Sequence, residues 1–406
     1  MRRLALALSA VLMLGAGSGL AQQPVRPSDR PSASPSDRPS ASPSARPSVL
    51  DWRPLARLLD SAVANGAAPG GVIAVSVGGV RYLHGAGRLG LEDSTRPGPG
   101  TMYDLASLTK VIGLTTGIML AVSEERLALD APVQRYLPRF AGRFKEQVTV
   151  RHLLTHSSGL PDHRRLWVET PDRGSALALV DSTPLDTVPG ARMVYSDLGA
   201  MVLTQVLEGI YGMRIDSLLE QRVFGPLGLQ STRYLPPREW LPHIAPTEHD
   251  PWRGRMLHGE VHDENAAWLG GVSGHAGLFS TAEDLLAFGE WALGNVNGEC
   301  RRLPVLPSIV REFVRRQDLV PGSSRALGWD TPSPNSSAGT KLSPLSFGHT
   351  GFTGTSIWMD PTRRLVVLLL TNRVHPTREN NRLGPLRRSV ADVVAGIVDV
   401  SNLVDM

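Results

Sequence analysis

A serine and a lysine three residues apart give the sequence its first candidate for chemistry. Lysine occurs only at Lys110, Lys145 and Lys341 among 406 residues, and all the other residues in the Lys+Arg count are arginines. Lys110 ends a Ser-Leu-Thr-Lys tetrad that starts at Ser107 and opens a strongly apolar stretch with helical periodicity. Because residues i and i+3 share one face of a helix, the ammonium group can reach the Ser107 hydroxyl. The spacing predicts a nucleophilic serine with a lysine partner.

The start of a helix suits such a serine. The helix dipole and the free backbone N–H groups favour an alkoxide and, later, an oxyanion. An apolar wall would lower the pKa of Lys110 and let it act as a base, which arginine cannot do because it stays charged. We therefore expect a lowered lysine pKa. Since a Ser-x-x-Lys tetrad also arises by chance, further motifs are required before a function can be assigned.

Two later motifs follow in an order that suits acyl transfer. Tyr-Ser-Asp at 195–197 lies at a predicted turn that opens a helix, and His-Thr-Gly at 349–351 stands just before a predicted strand. A hydroxyl with a polar partner can pass a proton, and a strand edge with a cation can hold an acyl chain. Gly351 would let the backbone approach a substrate closely.

The elements that must position these motifs are strands near both chain ends and helices between them. The pattern predicts an α/β (α+β) fold, in which one antiparallel sheet is assembled from both ends, terminal helices flank it, and a mainly helical lobe is inserted. Helices are predicted at 51–65, 107–122, 198–211, 282–293 and 386–400, and strands at 72–77, 80–84, 355–359 and 365–371.

Charge and cysteine content exclude several classes of protein. The chain has 42 Lys+Arg against 38 Asp+Glu, and six of the arginines but only two of the acids lie in the first 50 residues. The remaining chain is therefore neutral, which argues against a nucleic-acid partner. The single cysteine, Cys300, excludes an intramolecular disulfide and any cysteine-built metal site. The arginine pairs at 363–364 and 387–388 are expected on solvated faces.

The first 50 residues predict export. Residues 1–21 combine Arg2 and Arg3, an apolar stretch and a small-residue cleavage site, which is typical of a signal peptide. Membrane anchoring is expected only if this leader stays uncleaved. Residues 22–50 contain a tandem Asp-Arg-Pro-Ser-Ala-Ser-Pro-Ser repeat and predict a disordered linker. The predicted organisation is signal 1–21, linker 22–50 and catalytic domain 51–406, in the periplasm or outside the cell.

With these motifs in place, the chain resembles the serine β-lactamase and penicillin-binding-protein superfamily, closest to its class C β-lactamase, D,D-peptidase and esterase branch. Supporting stretches include Leu-Leu-Thr-His-Ser-Ser-Gly-Leu-Pro at 153–161 and Gly-Leu-Phe-Ser-Thr-Ala-Glu-Asp-Leu at 277–285. The likeness covers about residues 51–400. It specifies the fold much more closely than the substrate.

The resemblance implies a role for each matching position. Ser107 would be the acylated nucleophile, Lys110 its base partner and Tyr195 a shared proton relay. Asp197 would be a hydrogen-bond partner near the substrate and Lys110. The binding strand would contain His349, Thr350 and Gly351, and the backbone N–H groups of Ser107 and Phe352 would form the oxyanion hole. No cofactor or metal is implied.

Two positions depart from the family pattern. Asp197 stands where the family often has asparagine, and His349 stands where β-lactamases usually have lysine. A neutral or half-charged imidazole holds a carboxylate less firmly than an ammonium group, so β-lactam hydrolysis is expected to be slow or absent. Ser196-Asp197-Leu198 also fits a degraded Ser-Asp-Asn motif, although the tyrosine alignment is preferred.

One segment, residues 258–265, suggests a metal site because it holds two histidines and three acids. Its His-x-Glu-x-His spacing differs from the helical zinc motif, so a hydrogen-bonded loop near the cleft is favoured. Val-His-Asp-Glu-Asn-Ala at 261–266, together with Gly-His-Ala-Gly at 274–277, resembles a subgroup of penicillin-binding-protein-like hydrolases. Its role stays open.

The sequence thus predicts an exported serine hydrolase that acts on D-alanyl peptides of the peptidoglycan type through an acyl-enzyme. An esterase, D-amino-acid amidase or β-lactamase of the same fold is the nearest alternative. A non-catalytic peptidoglycan- or penicillin-binding module and a metal-dependent hydrolase are alternatives of other classes. The natural substrate and the oligomeric state stay open.

Overall fold

A computed structural model describes residues 50–299 and 302–404, with side chains as far as Ser401. The predicted signal peptide, the predicted linker up to residue 49, and Cys300 lie outside the described residues. No helix within the described ranges is long and apolar enough to cross a membrane.

The helices and strands are these, in chain order. The α-helices are α1 (Arg53–Ala64), α2 (Thr116–Ser123), α3 (Val150–Leu154), α4 (Leu166–Glu169), α5 (Arg173–Ser182), α6 (Asp197–Tyr211), α7 (Ile215–Leu219), α8 (Gly225–Leu227), α9 (Glu264–Trp268), α10 (Ala282–Val296), α11 (Pro307–Val314) and α12 (Leu383–Val404). The strands are β1 (Gly70–Val77), β2 (Val80–Gly87), β3 (Tyr103–Asp104), β4 (Arg233–Tyr234), β5 (His249–Asp250), β6 (Arg255–Met256), β7 (Leu278–Ser280), β8 (Phe347–Thr350), β9 (Ser356–Asp360) and β10 (Leu365–Thr371).

The main sheet joins the two ends of the chain, as predicted. Its order is β2-β1-β10-β9-β8, and each neighbouring pair is antiparallel. The β1–β2 hairpin turns at Gly78 and Gly79, which both have positive φ. Two glycines in this conformation are what a two-residue hairpin of this kind requires.

Alternation along the central strands separates two apolar cores. In β10, Val366, Leu368 and Leu370 belong to the larger core with the helical lobe. Leu365, Val367 and Leu369 face the other way and pack in a second core with the terminal helices α1 and α12. Because successive side chains of a strand point to opposite faces, the sheet is buried on both sides.

The inserted region is mainly helical, and the fold prediction is confirmed. Two small sheets inside it, β3-β7-β4 and β5-β6, were not predicted. Their strands are only two or three residues long. Segments this short carry no alternation that a sequence can show.

Two local features position the candidate site. The predicted helix at 107–122 is a π-helix, Lys110–Thr115, followed directly by α2. Strand β8, which was not predicted as a separate strand, forms the edge of the main sheet and carries His349 and Thr350. The Ser-x-x-Lys tetrad therefore lies at the base of the helical lobe, and the His-Thr-Gly motif lies on the sheet edge.

Candidate active site

Ser107 follows a tightly held turn. Ala106 has a φ of 46°, a conformation that non-glycine residues seldom adopt. The turn is fixed by Asp104, whose Oδ1 accepts a hydrogen bond from the Ala106 N–H at 2.7 Å. On the other side, Leu105 N–H donates to the carbonyl of Leu278 in β7. Strain of this kind persists only where surrounding contacts enforce it.

Lys110 is buried with three acceptors around its ammonium group. Nζ lies 3.0 Å from Ser107 Oγ, 3.0 Å from the carbonyl oxygen of His275 and 2.7 Å from Asp197 Oδ1. An ammonium group has three hydrogens, so these acceptors fit its protonated form.

The expectation of a lowered lysine pKa is wrong. Burial is the largest single influence and lowers the pKa of Lys110, but Asp197 and Tyr195 together raise it by more, so the pKa lies above its usual value. The sequence argument considered the apolar wall and omitted the charge of Asp197. Lys110 is therefore a cation at neutral pH rather than a free base.

Tyr195 and Asp197 are positioned by the start of α6. Ser196 is the N-cap residue of that helix, since its hydroxyl accepts from the Gly199 N–H. The same hydroxyl donates to the Pro161 carbonyl at 2.6 Å and is buried. Both hydrogen bonds of the Ser196 hydroxyl are thus structural, whereas Tyr195 borders the cavity in front of Ser107. This geometry favours the tyrosine alignment of the motif.

The Tyr195 ring has two cations close to it. Lys110 Nζ is 5.0 Å from the ring centroid, and the Arg325 guanidinium is 5.1 Å from it. The Tyr195 hydroxyl is buried, and within the described chain no hydrogen-bond partner satisfies it. A buried hydroxyl in that state marks a position where a ligand can complete the network.

His349 lies on β8 with a buried ring. Its Nδ1 is 2.8 Å from the Thr350 carbonyl oxygen, so this nitrogen is assigned the proton. Burial and the nearby cations Arg325 and Lys110 hold the pKa of His349 well below its usual value. The imidazole is therefore neutral at pH 7, and it does not supply the charge that a lysine would supply here.

Gly351 is packed too closely for any side chain. A Cβ atom there would lie 2.1 Å from Thr355 Oγ1 and 2.3 Å from the Leu105 carbonyl oxygen. The glycine therefore lets the end of β8 touch the strand-to-turn segment that precedes Ser107. Phe352, the next residue, is 49% exposed at the edge of the same cavity.

Three arginines that the sequence analysis did not assign to the site also border the cavity. Arg373 donates to the carbonyls of Phe352 and Asn380, and Arg387 donates to those of Gly351 and Thr355. Arg325 is the third. In the part of the chain that the structure describes, Nε of Arg387 and both Nε and Nη1 of Arg325 are buried without a partner.

The expectation that Arg387 lies on a solvated face is wrong. Burial, together with repulsion from Arg373, lowers the pKa of Arg387 to about 10, which still leaves it charged at neutral pH. Its place in the predicted last helix did not by itself distinguish Arg387 from Arg388, its neighbour in the arginine pair. Arg363, for which the same expectation was made, is largely buried between Asp360 and Asp399.

These groups surround one cavity of about 330 Å³. It is lined by Ser107, Tyr195, Arg325, Asp330, His349, Thr350, Gly351, Phe352, Trp358, Arg373 and Arg387. Two larger cavities, of about 730 and 720 Å³, are bordered by none of the predicted site residues. The structure thus gathers three motifs, separated by up to 244 residues, around one polar, cationic cleft.

The comparisons with known proteins agree with this arrangement. Residues 55–392 match the Beta-lactamase family. The chain belongs to this family. A protein of Escherichia coli (strain K12) named "Putative D-alanyl-D-alanine carboxypeptidase" is 31% identical over 316 residues, which cover 70% of this chain and 72% of that protein.

Two solved structures have the same fold as this chain. A class C beta-lactamase aligns with a TM-score of 0.68 and 17% identity, covering 84% of this chain and 95% of its own. EstCE1, a hydrolase with promiscuous acyltransferase activity, aligns with a TM-score of 0.67 and 22% identity, covering 82% and 96%. The resemblance to this superfamily is confirmed, and the chain is a serine-hydrolase-type enzyme of the family.

In this Beta-lactamase-family chain, the histidines of the 258–265 segment are each engaged separately. His262 Nε2 contacts Glu248 at 2.8 Å, and His258 Nε2 contacts the Ile244 carbonyl at 2.8 Å. Over the described residues, no cluster of three potential ligands has the geometry to hold a metal ion. Residues 258–262 form a loop, Asp263 is the N-cap residue of α9, and Glu264 and Asn265 belong to that helix.

The arginines of the cleft show what sequence inspection missed. Arg325 reaches the cavity because the strand-like segment around Asp330 pairs with the outer edge of β8, where Asp330 and Gly348 exchange two backbone hydrogen bonds of 2.9 Å. This pairing joins parts of the chain that share no motif. Only Arg387 stood in a predicted element, the last helix.

Proposed function

We propose that the protein is an exported serine hydrolase that removes the terminal D-amino acid from D-alanyl peptides of the peptidoglycan type. The observation that carries this proposal is the pair of buried guanidinium groups, Arg325 and Arg387, with unpartnered donors beside Ser107. Cationic donors form their strongest hydrogen bonds with an anion. A peptide with a free C-terminal carboxylate supplies that anion, and a neutral ester does not.

The reaction proceeds through an acyl-enzyme on Ser107. Ser107 Oγ attacks the carbonyl carbon of the penultimate residue and forms a C–O bond. The C–N bond then breaks, and the terminal amino acid leaves with the serine proton on its nitrogen. Water hydrolyses the ester and returns a proton to Ser107. Splitting the hydrolysis in this way replaces one difficult step by two easier ones.

Lys110 acts in this mechanism as a fixed positive charge. Because it is protonated beside Ser107 Oγ, it lowers the free energy of the developing alkoxide. The proton itself passes through Tyr195, whose hydroxyl is buried and free of other partners in the described residues. Tyr195 receives the proton from Ser107 and delivers it to the leaving nitrogen.

Substrate contacts divide between the two sides of the cleft. The backbone N–H groups of Ser107 and Phe352 receive the oxyanion, and Thr350 on the edge of β8 borders the acyl chain. Arg325 and Arg387 bind the terminal carboxylate. Since His349 is neutral, these arginines replace the charge that a lysine would give, and Asp197 keeps Lys110 charged.

The name of the Escherichia coli relative supports the carboxypeptidase proposal. One observation favours an esterase instead, namely the half-exposed ring of Phe352 at the cavity edge, which offers apolar surface to an alkyl or aryl ester. We further propose that residues 1–21 direct export and that residues 22–50 link this leader to the catalytic domain at 51–406.

The test uses two peptides that differ only at the C-terminus. Purified protein is incubated with an acyl-Lys-D-Ala-D-Ala peptide and with its C-terminal carboxamide, and release of the last residue is measured. We expect release from the free acid to be at least about tenfold faster, and Arg325→Gln to remove most of that preference. Ser107→Ala abolishes release. Equal rates for the two peptides would contradict the proposal.

Intact mass separates the alternatives. A penicillin or fluorophosphonate adduct that is absent in Ser107→Ala identifies the acylated serine. A fluorophosphonate adduct with ester turnover and no peptide release would indicate the esterase. A penicillin adduct without any turnover would indicate a binding module, and loss of activity with a chelator would indicate a metal-dependent hydrolase.

A further inference from the structure

The segment at 261–265, whose role the sequence left open, is connected to the catalytic groups through intermediate residues. None of its residues borders the cavity in front of Ser107. Its contacts lead instead to Lys110 through His275 and to the turn before Ser107 through Asp104. A segment with this placement cannot bind substrate there, but it can fix the groups that do.

His275 is held at both ring nitrogens. Its side chain is 1% exposed, Nδ1 lies 2.7 Å from Ser273 Oγ, and Nε2 lies 2.8 Å from Asp263 Oδ1. With both nitrogens engaged, the ring cannot rotate without breaking a buried hydrogen bond. The backbone of His275 is fixed along with its ring.

The fixed part of His275 that matters is its carbonyl oxygen. This oxygen accepts a hydrogen bond from Lys110 Nζ at 3.0 Å, whereas Ser107 and Asp197 occupy the other two positions. The direction of the ammonium group is therefore set by three acceptors, of which His275 is the only backbone group. If this carbonyl moved, Lys110 would lose one of three restraints.

The neighbouring residue connects the same segment to the nucleophile. The His262 N–H donates to Asp104 Oδ2 at 2.6 Å, and Asp104 Oδ1 accepts from the Ala106 N–H. The His262 ring is itself held by Glu248. Two adjacent residues thus brace both members of the Ser107–Lys110 pair.

We propose that Asp263 is a positioning residue, which holds the Lys110 ammonium in line with Ser107 by fixing His275. The proposal rests on the roles given above to Ser107 and Lys110. It assigns to the Val-His-Asp-Glu-Asn segment the alignment of the catalytic pair. Asp263 itself touches no reacting atom.

A purely structural role for Asp263 must be separated from this one. The same Oδ1 caps α9 by accepting from the Ala266 N–H at 2.7 Å. Asp263→Ser keeps an N-cap hydroxyl but is too short to reach His275. Asp263→Asn keeps both an N-cap oxygen and an acceptor for His275. Asp172→Ser, at the N-cap of α5, is the matched control for the cap exchange alone.

Two readouts follow Lys110 and Ser107 independently of any substrate. Since the chain has three lysines, protein labelled with 15N-lysine gives at most three Nζ signals, and Lys110→Arg assigns the one of interest. Hydrogen exchange of that signal reports the restraint on the ammonium group. The rate of fluorophosphonate labelling reports the reactivity of Ser107.

We expect Asp263→Ser to speed Lys110 hydrogen exchange by about tenfold and to slow fluorophosphonate labelling by about ten- to a hundredfold. Asp263→Asn should restore most of both values, and Asp172→Ser should change neither. Wild-type values in Asp263→Ser would overturn the proposal. Equal damage in the serine and asparagine variants would also overturn it, because the carboxylate charge rather than positioning would then be responsible.

Failure of the proposed function would look different. If fluorophosphonate does not label the wild-type protein but Lys110 exchange changes as expected, Ser107 is not the nucleophile while the positioning of Lys110 by Asp263 stands. If labelling occurs and neither readout responds to Asp263→Ser, the serine mechanism stands and the positioning role is wrong.

Discussion

At the scale of single residues, the Asp197 carboxylate is the main contributor that keeps Lys110 charged. Desolvation alone would leave a buried lysine neutral at accessible pH. Asp197, 2.7 Å from Nζ, and the neighbouring Tyr195 together more than offset that cost. Asparagine at this position would offer a hydrogen bond but no charge. Aspartate at position 197 therefore favours the charged form of Lys110.

Asp197→Asn tests this assignment through the pH dependence of activity. Without the carboxylate, burial is opposed less, so the pKa of Lys110 falls. Activity that needs the protonated lysine is present below that pKa and is lost as pH rises through it. The alkaline limb of kcat/KM should therefore move down by at least about one pH unit.

The control for this prediction is Asp162→Asn. Its backbone carbonyl accepts from the Asp197 N–H, but its side-chain carboxylate bonds the His163 N–H instead of Lys110. We expect its alkaline limb to match the wild type. An unchanged limb in Asp197→Asn, measured from pH 6 to pH 11, would mean that the protonation of Lys110 does not control the reaction.

At the scale of elements, the site depends on how closely β8 approaches the turn before Ser107. Thr353 and Thr355 donate from their hydroxyls to the carbonyls of Asp104 and Leu105, which joins the sheet edge to that turn. Arg387 on α12 donates to two carbonyls of the same loop. These hydrogen bonds fix the positions of the sheet edge, the last helix and the nucleophile relative to one another.

Gly351→Ala should disturb this placement of β8 against the turn before Ser107. The added Cβ would overlap Leu105 O and Thr355 Oγ1, so one backbone must move. We expect fluorophosphonate labelling of Ser107 to slow by about a hundredfold, and the free energy of unfolding to fall by about 1–3 kcal/mol. Gly209→Ala, an exposed position in α6 with open space around it, is the control.

The control should behave in the opposite way. Alanine at position 209 stabilises a helix interior by up to about 1 kcal/mol relative to glycine and leaves labelling unchanged. Urea unfolding and timed mass spectrometry give both values from one protein sample. Wild-type labelling in Gly351→Ala would show that the close contact of β8 with the turn is not needed.

At the scale of the whole molecule, the cleft lies where the sheet edge meets the helical lobe and contains several buried ionisable groups. His156 and His349 are each about 5% exposed. Burial, with repulsion from Arg325 and Lys110, holds the pKa of His156 well below its usual value. Both imidazoles are therefore neutral in the folded protein, and their protonation favours the unfolded chain.

Stability should consequently fall in mild acid. In the unfolded chain a histidine has a pKa of about 6.5, so the stabilisation from a neutral buried imidazole is present above that pH and is lost as pH falls below it. The loss amounts to about 1.4 kcal/mol per pH unit for each such histidine. The free energy of unfolding, from urea titrations at pH 7.5 and 5.5, measures it.

His156→Asn should reduce this loss by about 1 kcal/mol at pH 5.5. Asparagine suits the substitution because His156 has a φ of 55°, which asparagine tolerates, and because Oδ1 can replace Nδ1 as the acceptor for the Ser196 N–H. Comparing each protein with itself at pH 7.5 removes the cost of the substitution. Equal losses in variant and wild type would contradict the assignment of a neutral His156.

The sequence by itself determined the fold class and most of the long elements. The helix at 198–211 and the strand at 365–371 coincide with α6 and β10, because their apolar periodicity continues over several turns or alternations. It also determined which residues form the three motifs. The motifs can be recognised from residue type and order alone, because only a few side chains can perform this chemistry.

Only the tertiary structure decided the charges and the arginines of the cleft. Lys110 is charged because Asp197, 87 positions later, lies beside it. Arg325 and Arg387 reach the cavity through pairing with β8 and packing of α12, which no local pattern encodes. Protonation depends on burial and on neighbours within a few ångströms, and both are properties of the folded chain.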